Sequence, residues 1–516
     1  MATVRLGSIR GRWVMVSTIL ASAMAFIDAT ALNVVLPALQ KSLNATGTDL
    51  FWLLNAYLLI LASLILIGGS LGDKLGRKKI YMIGIVIFIT GSAACGFAPN
   101  VQALIACRVI QGIGGSLMIP GSLSLISSSI DEREKGRAIG TWSAATTIVT
   151  LGGPVIGGAL ADAGLWRYIF YINVPIGITA LIILWKKVAE SKEADADPTL
   201  DYPAVITTAL GLALLTFGFL RIPQVGLKSI QTCGTLAAGI LLLVAFVIRE
   251  GRTRHPMMPL WLFANRTFSG VNLLTFFLYA GLGVGMLFLS LNLVQVQGYS
   301  QLQSGLTFLP FTLLMISMAR AAGSWSDRSG PRLLLIVGPV MTGLGLLILS
   351  FTGQTKGPAD YWTSFFPGIL VLGLGMSLTV APLTTTVMRS VHDQYSGIAS
   401  GVNNAMTRIS NVFANAIFGA LAVLLFTGSL TNRLKELPID EKDKQAAIAQ
   451  AVNLGNAKPP ATVSDHDKAL IGQSYRAGFI DTYATVMRLA AALAFLGALM
   501  SILLIRDPGF SVPLEV

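Results

Sequence analysis

Gly69-Ser-Leu-Gly-Asp-Lys-Leu-Gly-Arg-Lys-Lys79 is a short basic turn between two apolar runs, 50–70 and 80–98. Each run is long enough to cross a bilayer. A degraded copy, Gly323-Ser-Trp-Ser-Asp-Arg-Ser-Gly-Pro-Arg332, stands in the same setting far downstream. Two such turns indicate an ancient duplication of a membrane bundle, the way many secondary transporters are built.

Composition agrees. The 516 residues include 53 glycines and only 12% charged side chains, and the mean hydropathy is +0.70. That excludes a soluble globular domain and suits helices packed closely in lipid. The net charge of +12 resides in short loops beside apolar runs, the positive-inside pattern, and forms no basic stripe. Nucleic acid is therefore not an expected partner. Cys95, Cys107 and Cys233 lack CxxC spacing, and His255, His392 and His466 are scattered, so no metal site is expected. No GxxxxGK[ST] loop and no nucleophile–base constellation occurs, which argues against an ATP-driven pump and against an enzyme. Gly281-Leu-Gly-Val-Gly285 lies in an apolar run and reads as packing. The first apolar run is too long for a signal-peptide core and carries Asp28, so it is retained as a helix.

The expected fold is an all-α polytopic membrane protein with fourteen spans. They fall near 13–36, 50–70, 80–98, 101–125, 138–161, 166–187, 203–220, 232–249, 268–294, 304–325, 333–352, 363–387, 396–425 and 484–505. Lys and Arg concentrate in alternate turns, among them Lys74 with Arg77, and Arg133 with Arg137, while 295–303 carries none. Both termini are thereby expected on the cytoplasmic side. Asp73 and Asp327 are about 250 positions apart, whereas six spans occupy only about 190, which leaves room for two further helices. The organisation is six plus two plus six: an N-terminal bundle over 1–190, two linking helices over 191–255, and a C-terminal bundle over 256–516. The polar segment 427–483 reads as a long outer loop, with surface helices, a folded hairpin and a partly ordered chain all open.

Charged groups within the spans mark pathways, because burying them in hydrocarbon is costly. Asp28 is the carboxylate lying well inside a span, and Arg108, Gln111 and Gly112 share one face of the fourth. By helical rise, Asp28 lies roughly 13 Å and Arg108 roughly 12 Å from the outer end, so the two charges can share a level. A structural ion pair and a proton-carrying carboxylate modulated by an arginine are both open readings. Gly152-Gly-Pro-Val-Ile-Gly-Gly158 permits a kink and close packing in the fifth span. In the thirteenth, Asn404, Arg408, Asn411 and Asn415 form one polar stripe, facing other helices or a wet cavity. Trp142, Phe276, Phe277, Phe308 and Phe311 are candidates for lining that cavity or for plain packing.

These motifs, in this order and over nearly the whole chain, resemble the major facilitator superfamily, and within it the fourteen-helix drug:proton antiporters. Gly69, Leu71, Gly72, Asp73, Gly76, Arg77, Lys78 and Lys79 are similar to the signature turn between helices two and three. Arg108, Gln111 and Gly112 are similar to the proton-linked motif of helix four, and Gly153, Pro154, Gly157 and Gly158 to the antiporter motif of helix five. Asp28, Thr30, Asn33 and Pro37, with the run Trp166–Gly177, resemble the fourteen-helix branch. The chain departs from the pattern at Arg408-Ile-Ser-Asn411, where an Arg-Gln and paired glycines are usual. It also lacks an acidic residue within the C-terminal spans.

The resemblance implies a proton-coupled antiporter exporting small hydrophobic, cationic drugs or metabolites, with no cofactor beyond the proton gradient; the short tails suggest a prokaryotic inner membrane, and a monomer is expected. A symporter importing a small metabolite, and a transporter-like receptor or lipid-handling protein without net transport, are the alternatives. Asp28 and Arg108 would couple protons. Asn33, Gln111, Trp142, Asn404, Arg408, Asn411, Phe276 and Phe311 would meet the substrate. Gly69, Gly72, Asp73, Gly76, Arg77, Arg137, Asp327 and Arg328 would gate. Asp73 is placed against the start of the thirteenth span near 396–400 and Asp327 against the start of the fifth near Arg137, since carboxylates accept hydrogen bonds from helix N-termini.

Overall fold

The computed structural model of the chain describes residues 4–131, 134–191, 201–253, 256, 258–391, 396–461 and 463–506. The described residues are almost wholly helical, and the one β-type contact among them is an isolated bridge between Val4 and Ile130. The first bundle contains α1 (Ile9–Leu43), α2 (Gly47–Leu75), α3 (Arg77–Phe97), α4 (Val101–Ser129), α5 (Lys135–Asp162), α6 (Tyr168–Tyr171) and α7 (Asn173–Lys187). Then come α8 (Tyr202–Val225) and α9 (Ile230–Glu250). The remainder is α10 (Arg266–Gln295), α11 (Gln301–Thr307), α12 (Leu309–Ser329), α13 (Arg332–Ser350), α14 (Tyr361–Ser364), α15 (Phe366–Arg389), α16 (Ser396–Lys435), α17 (Glu441–Ala449) and α18 (Asp465–Leu504).

Twelve helices among the described residues are long and apolar enough to cross a membrane, with α6 and α7 acting as one span. The long helices α5 and α12 occupy the two remaining places in the expected order. Helix ends follow local chemistry. Ser8 caps α1 by accepting from the Gly11 amide at 3.0 Å, and Asn100 caps α4 by accepting from Ala103 at 2.8 Å.

The chain divides into two compact units. Unit 1 holds Met1–Ala45, Asp49–Met257 and Ser300–Gly305; unit 2 holds Thr46–Thr48, Met258–Tyr299 and Leu306–Val516. In unit 1, α1 packs on α4, α5 and α7, and α3 packs on α4. Helices α8 and α9 pair with each other, and α8 reaches α2 through Trp52 and Phe217, whose ring centroids are 6.1 Å apart. The opposite side of α9 exposes Ile240, Leu241, Val244, Val247 and Ile248, an apolar face suited to lipid. At the entry to this pair, Asp201 accepts from Arg249 Nε at 2.8 Å and from the Ala204 amide at 3.0 Å. Burial works against ionising that carboxyl, but the hydrogen bonds from Arg249 and Ala204, with the charge of Arg249, outweigh it and lower the pKa.

Unit 2 is built from α10 on α16 and α18, and α13 on α15 and α18. In its segment 427–483 the chain takes the folded-hairpin form, one of the readings left open by the sequence. Helices α16 and α18 are each 40 residues long, about 60 Å against a hydrocarbon core of about 30 Å. Together with α17 they make a folded hairpin. Leu430 and Leu434 of α16 are fully buried, as are Ile471 and Phe479 of α18. The Phe426 and Phe479 rings meet at 6.1 Å, and the Tyr475 hydroxyl donates to the Ala447 carbonyl at 2.8 Å. The last two spans therefore run past their expected bounds of 396–425 and 484–505. Lys435, Glu436 and their neighbours dilute the hydropathy, while Phe426, Leu430 and Leu434 keep the spacing of a buried helical stripe.

Candidate functional site

Asp28 in α1 and Arg108 in α4 are in contact. Arg108 Nη1 donates to Asp28 Oδ2 at 2.5 Å and to Gln111 Oε1 at 2.8 Å, and Gln111 Nε2 donates to Asp28 Oδ1 at 2.9 Å. The three side chains close a ring of hydrogen bonds, and each residue is at most 1% exposed. The Arg108 guanidinium also lies 4.3 Å from the centroid of the Tyr57 ring. Small residues permit this geometry. A Cβ at Gly112 would meet the Tyr57 carbonyl and Ile60, and one at Gly115 would meet the Tyr57 hydroxyl at 3.1 Å. Sequence spacing placed Arg108 and Gln111 on one face. Gln111, which the sequence reading placed both in the proton-linked motif and among the substrate contacts, bridges the two charges here. Tyr57 was missed, because an aromatic in an apolar span carries no signal until its partner is known.

The glycine-rich face of α5 fits two backbones at once. A Cβ at Gly157 would meet Ala31 Cβ at 2.9 Å, and one at Gly158 would meet the Gln301 carbonyl and Leu302 Cα, the latter at 2.7 Å. Asp162 at the end of α5 accepts from Ser300 Oγ at 2.6 Å and from the Gln301 and Leu302 amides at 2.7 and 2.9 Å. Gly153 and Pro154 border the same seam, Gly153 against Thr30 and Pro154 against Gly305. The antiporter-like motif is thus a docking face for α1 and for Ser300–Gly305, all within unit 1.

The basic turn is held by a residue the sequence did not single out. Gly76 has φ of 112°, a conformation that favours glycine, and it begins α3 without a side-chain cap of its own. Glu190 supplies the cap: Oε1 accepts from the Lys78 amide at 2.9 Å and Oε2 from the Lys79 amide at 3.0 Å. The Arg77 amide donates to the Ser191 carbonyl at 2.8 Å. A carboxylate 112 positions from Lys78 has no local signature. Gly72 is buried against Arg77. Arg137 and Arg328 are exposed. The environment of Gly69, and the side chains of Asp73, Asp327 and Ser396, lie outside the described residues.

The remaining candidates are dispersed. Trp142 Nε1 donates to Ser22 Oγ at 3.1 Å and packs edge-on to Phe26 within unit 1. Asn33 is half-buried on α1. In unit 2, Asn404 is exposed, Arg408 and Asn411 are half-buried, and Asn415 is buried. Phe276 meets Phe413 with centroids 6.3 Å apart. Phe311 packs against the unit 2 core and lies against Gly373 of α15. No group of three His, Cys, Asp or Glu able to hold a metal occurs among the described residues.

A buried Asp–Arg pair in a bundle of membrane-spanning helices, with the fifth span faced in glycine, fits a polytopic transporter. The chain belongs to the Major Facilitator Superfamily, whose family model matches residues 18–415. It is 29% identical over 485 residues to the tetracenomycin C resistance and export protein of Streptomyces glaucescens, covering 93% of this chain and 89% of that one. It is 32% identical over 451 residues to the multidrug resistance protein Stp of Mycobacterium tuberculosis, covering 87% and 82%. The methylenomycin A resistance protein of Bacillus subtilis is 31% identical over 405 residues, with 78% and 86% covered. Among solved structures, an inward-facing, unoccupied bacterial homolog of the human lysosomal transporter Spinster superposes with a TM-score of 0.66 at 18% identity, covering 98% and 100%. A D-xylose–proton symporter gives 0.60 at 16% identity, covering 97% and 99%. At these identities the structures establish the fold alone.

Proposed function

We propose that the protein is a proton-driven antiporter that exports small hydrophobic compounds across a bacterial cytoplasmic membrane, with both termini in the cytoplasm. The observation that carries the coupling is the closed ring of Asp28, Arg108 and Gln111. Protonating Asp28 removes the negative partner and leaves Arg108 charged in a site with almost no exposure. A buried charge without its partner is strongly destabilising, so the protonated form favours an arrangement in which α1 and α4 admit water or another anion near Arg108. Releasing the proton restores the pair. A proton is thereby linked to a change of shape without any cofactor.

The outward direction draws support from the relatives, whose names speak of export and resistance. A cationic cargo would need Asp28 as its counter-charge, and the carboxylate is neutralised by Arg108 in the paired arrangement. The basic turn and its Glu190 cap serve as a gating element, and Asp73 as its latch.

The test is transport by the purified protein in proteoliposomes under an imposed pH gradient, wild type against Asp28→Asn. We expect uphill movement of a hydrophobic probe in the wild type and only downhill equilibration in the variant. Undiminished uphill transport by Asp28→Asn would remove Asp28 from the coupling step. Movement of the probe together with protons would favour the importer, and binding without movement the receptor.

A further inference from the structure

The two arginines within spans that the sequence singled out, Arg108 and Arg408, have opposite surroundings. Arg108 has a carboxylate, an amide oxygen and an aromatic face. Arg408, on α16, makes no ion pair with any described residue. A guanidinium does not lose its proton in a protein, so Arg408 is a fixed positive charge with no acid paired to it among the described residues.

We propose that Arg408 is the counter-charge for an anionic group on the exported compound, and that the cargo class is an aromatic or polycyclic body bearing a carboxylate, sulfonate or phenolate. This rests on the export reading and names the cargo for it. The face carrying Arg408 is built. Helix α10 matches α16 along its length: Asn403 donates to Thr275 Oγ1 at 2.8 Å and to Asn272 Oδ1 at 3.2 Å. Further along, Gly283 leaves space that a Cβ would take from Asn411 Oδ1, so Arg408 lies along α16 between these two contacts with α10.

Exposure along the stripe declines in order, from exposed Asn404 through half-buried Arg408 and Asn411 to buried Asn415. The stripe is thus more accessible at its Asn404 end than at Asn415. A lipid-facing stripe of this polarity is not viable within a span. Snorkelling to the headgroups does not account for Arg408 either. The α10 residues met on either side of it, Thr275 and Gly283, lie well inside that 30-residue helix, so Arg408 stands level with the helix middle. Phe276 and Phe277, half-buried on α10, stand edge to face at 5.6 Å, and Phe276 reaches Phe413 of α16. These rings supply an apolar wall for the body of the ligand.

The competing cation reading places the cargo's charge against Asp28. Asp28 is already matched by Arg108 in both charge and hydrogen bonds, while Arg408 has no such match among the described residues. A polar stripe whose positive charge has no acid partner among the described residues selects an anion.

The experiment uses the full chain purified in detergent and three probes of one shape. These are a naphthalene sulfonate, its uncharged N,N-dimethylsulfonamide, and a naphthylmethyl-trimethylammonium cation. Equilibrium dialysis reads binding by wild type, Arg408→Gln and Arg408→Lys, and proteoliposomes under a pH gradient read transport. We expect the wild type to bind the sulfonate at least about tenfold more tightly than the sulfonamide. We expect Arg408→Gln to abolish that ratio and Arg408→Lys to retain most of it. Rescue by lysine separates a charge effect from misfolding of the glutamine variant. A sulfonate that does not bind, that binds no better than the other probes, or whose ratio survives in Arg408→Gln overturns the proposal. If the sulfonate binds in an Arg408-dependent manner yet no probe moves uphill, the anion site stands and the export reading falls. If only the neutral or cationic probe is exported, export stands and the anion site falls.

Discussion

Arg108 donates to Asp28 at 2.5 Å while its guanidinium lies over the Tyr57 ring at 4.3 Å. One cation is thus held by a carboxylate on α1 and an aromatic face on α2. Three helices of unit 1 converge on one charge, so a change in its balance is felt by all three.

The pair should behave as a coupled unit. Arg108→Met alone leaves Asp28 buried without its cation and is expected to lower stability by about 3 kcal/mol. Asp28→Asn alone strands the arginine at a similar cost. The double variant Asp28→Asn/Arg108→Met removes both charges and is expected to be more stable than either single variant, with a coupling of about 2 kcal/mol. Thermal unfolding in detergent across the four proteins measures this, and additive losses would mean the two charges are independently solvated.

The seam on α5 should be sterically exacting. Gly158→Leu drives a side chain into the Gln301 and Leu302 backbone. Transport is expected to drop by about tenfold or more while the protein still folds, because overpacking costs about 1–3 kcal/mol. Gly152 is the control: a Cβ there meets only Ile156 Cδ1 at an ordinary 3.7 Å. Gly152→Ala is therefore expected to transport like wild type in the same proteoliposomes, and equal damage by both variants would argue against the seam.

Glu190 should anchor the basic turn from a distance. Glu190→Ala removes the acceptors of the Lys78 and Lys79 amides and is expected to cost about 1 kcal/mol, the usual scale for a lost helix cap. Hydrogen exchange at those two amides is the direct readout and should accelerate. Glu190→Gln keeps one acceptor oxygen and should fall between. Unchanged exchange in the alanine variant would show that the cap does not hold the turn.

Much of the molecule was legible in one dimension. Two copies of a basic turn and a series of apolar runs define an all-helical membrane bundle, because backbone polar groups in lipid must be satisfied within each helix. A carboxylate and an arginine at matched depth in the first and fourth spans are readable for a related reason. Charge in hydrocarbon is costly, so it rarely occurs without purpose. The hairpin of α16 and α18 was harder to see. Its buried stripe of Phe426, Leu430 and Leu434 was present, but hydropathy averaged over a window hides a stripe flanked by Lys435 and Glu436.

By itself, then, the sequence determined the class of fold, the order of the spans and the residues that carry charge inside them. Tertiary structure alone decided which of those charges are matched. Asp28 has its arginine and its glutamine, Arg408 has no acid among the described residues, and the Lys78 and Lys79 amides are capped by Glu190 from far along the chain. Periodicity and hydropathy are properties of single helices and can be read along one strand of text. Compensation of a charge is a property of two or three helices at once, set by distances of a few ångströms between residues far apart in the chain.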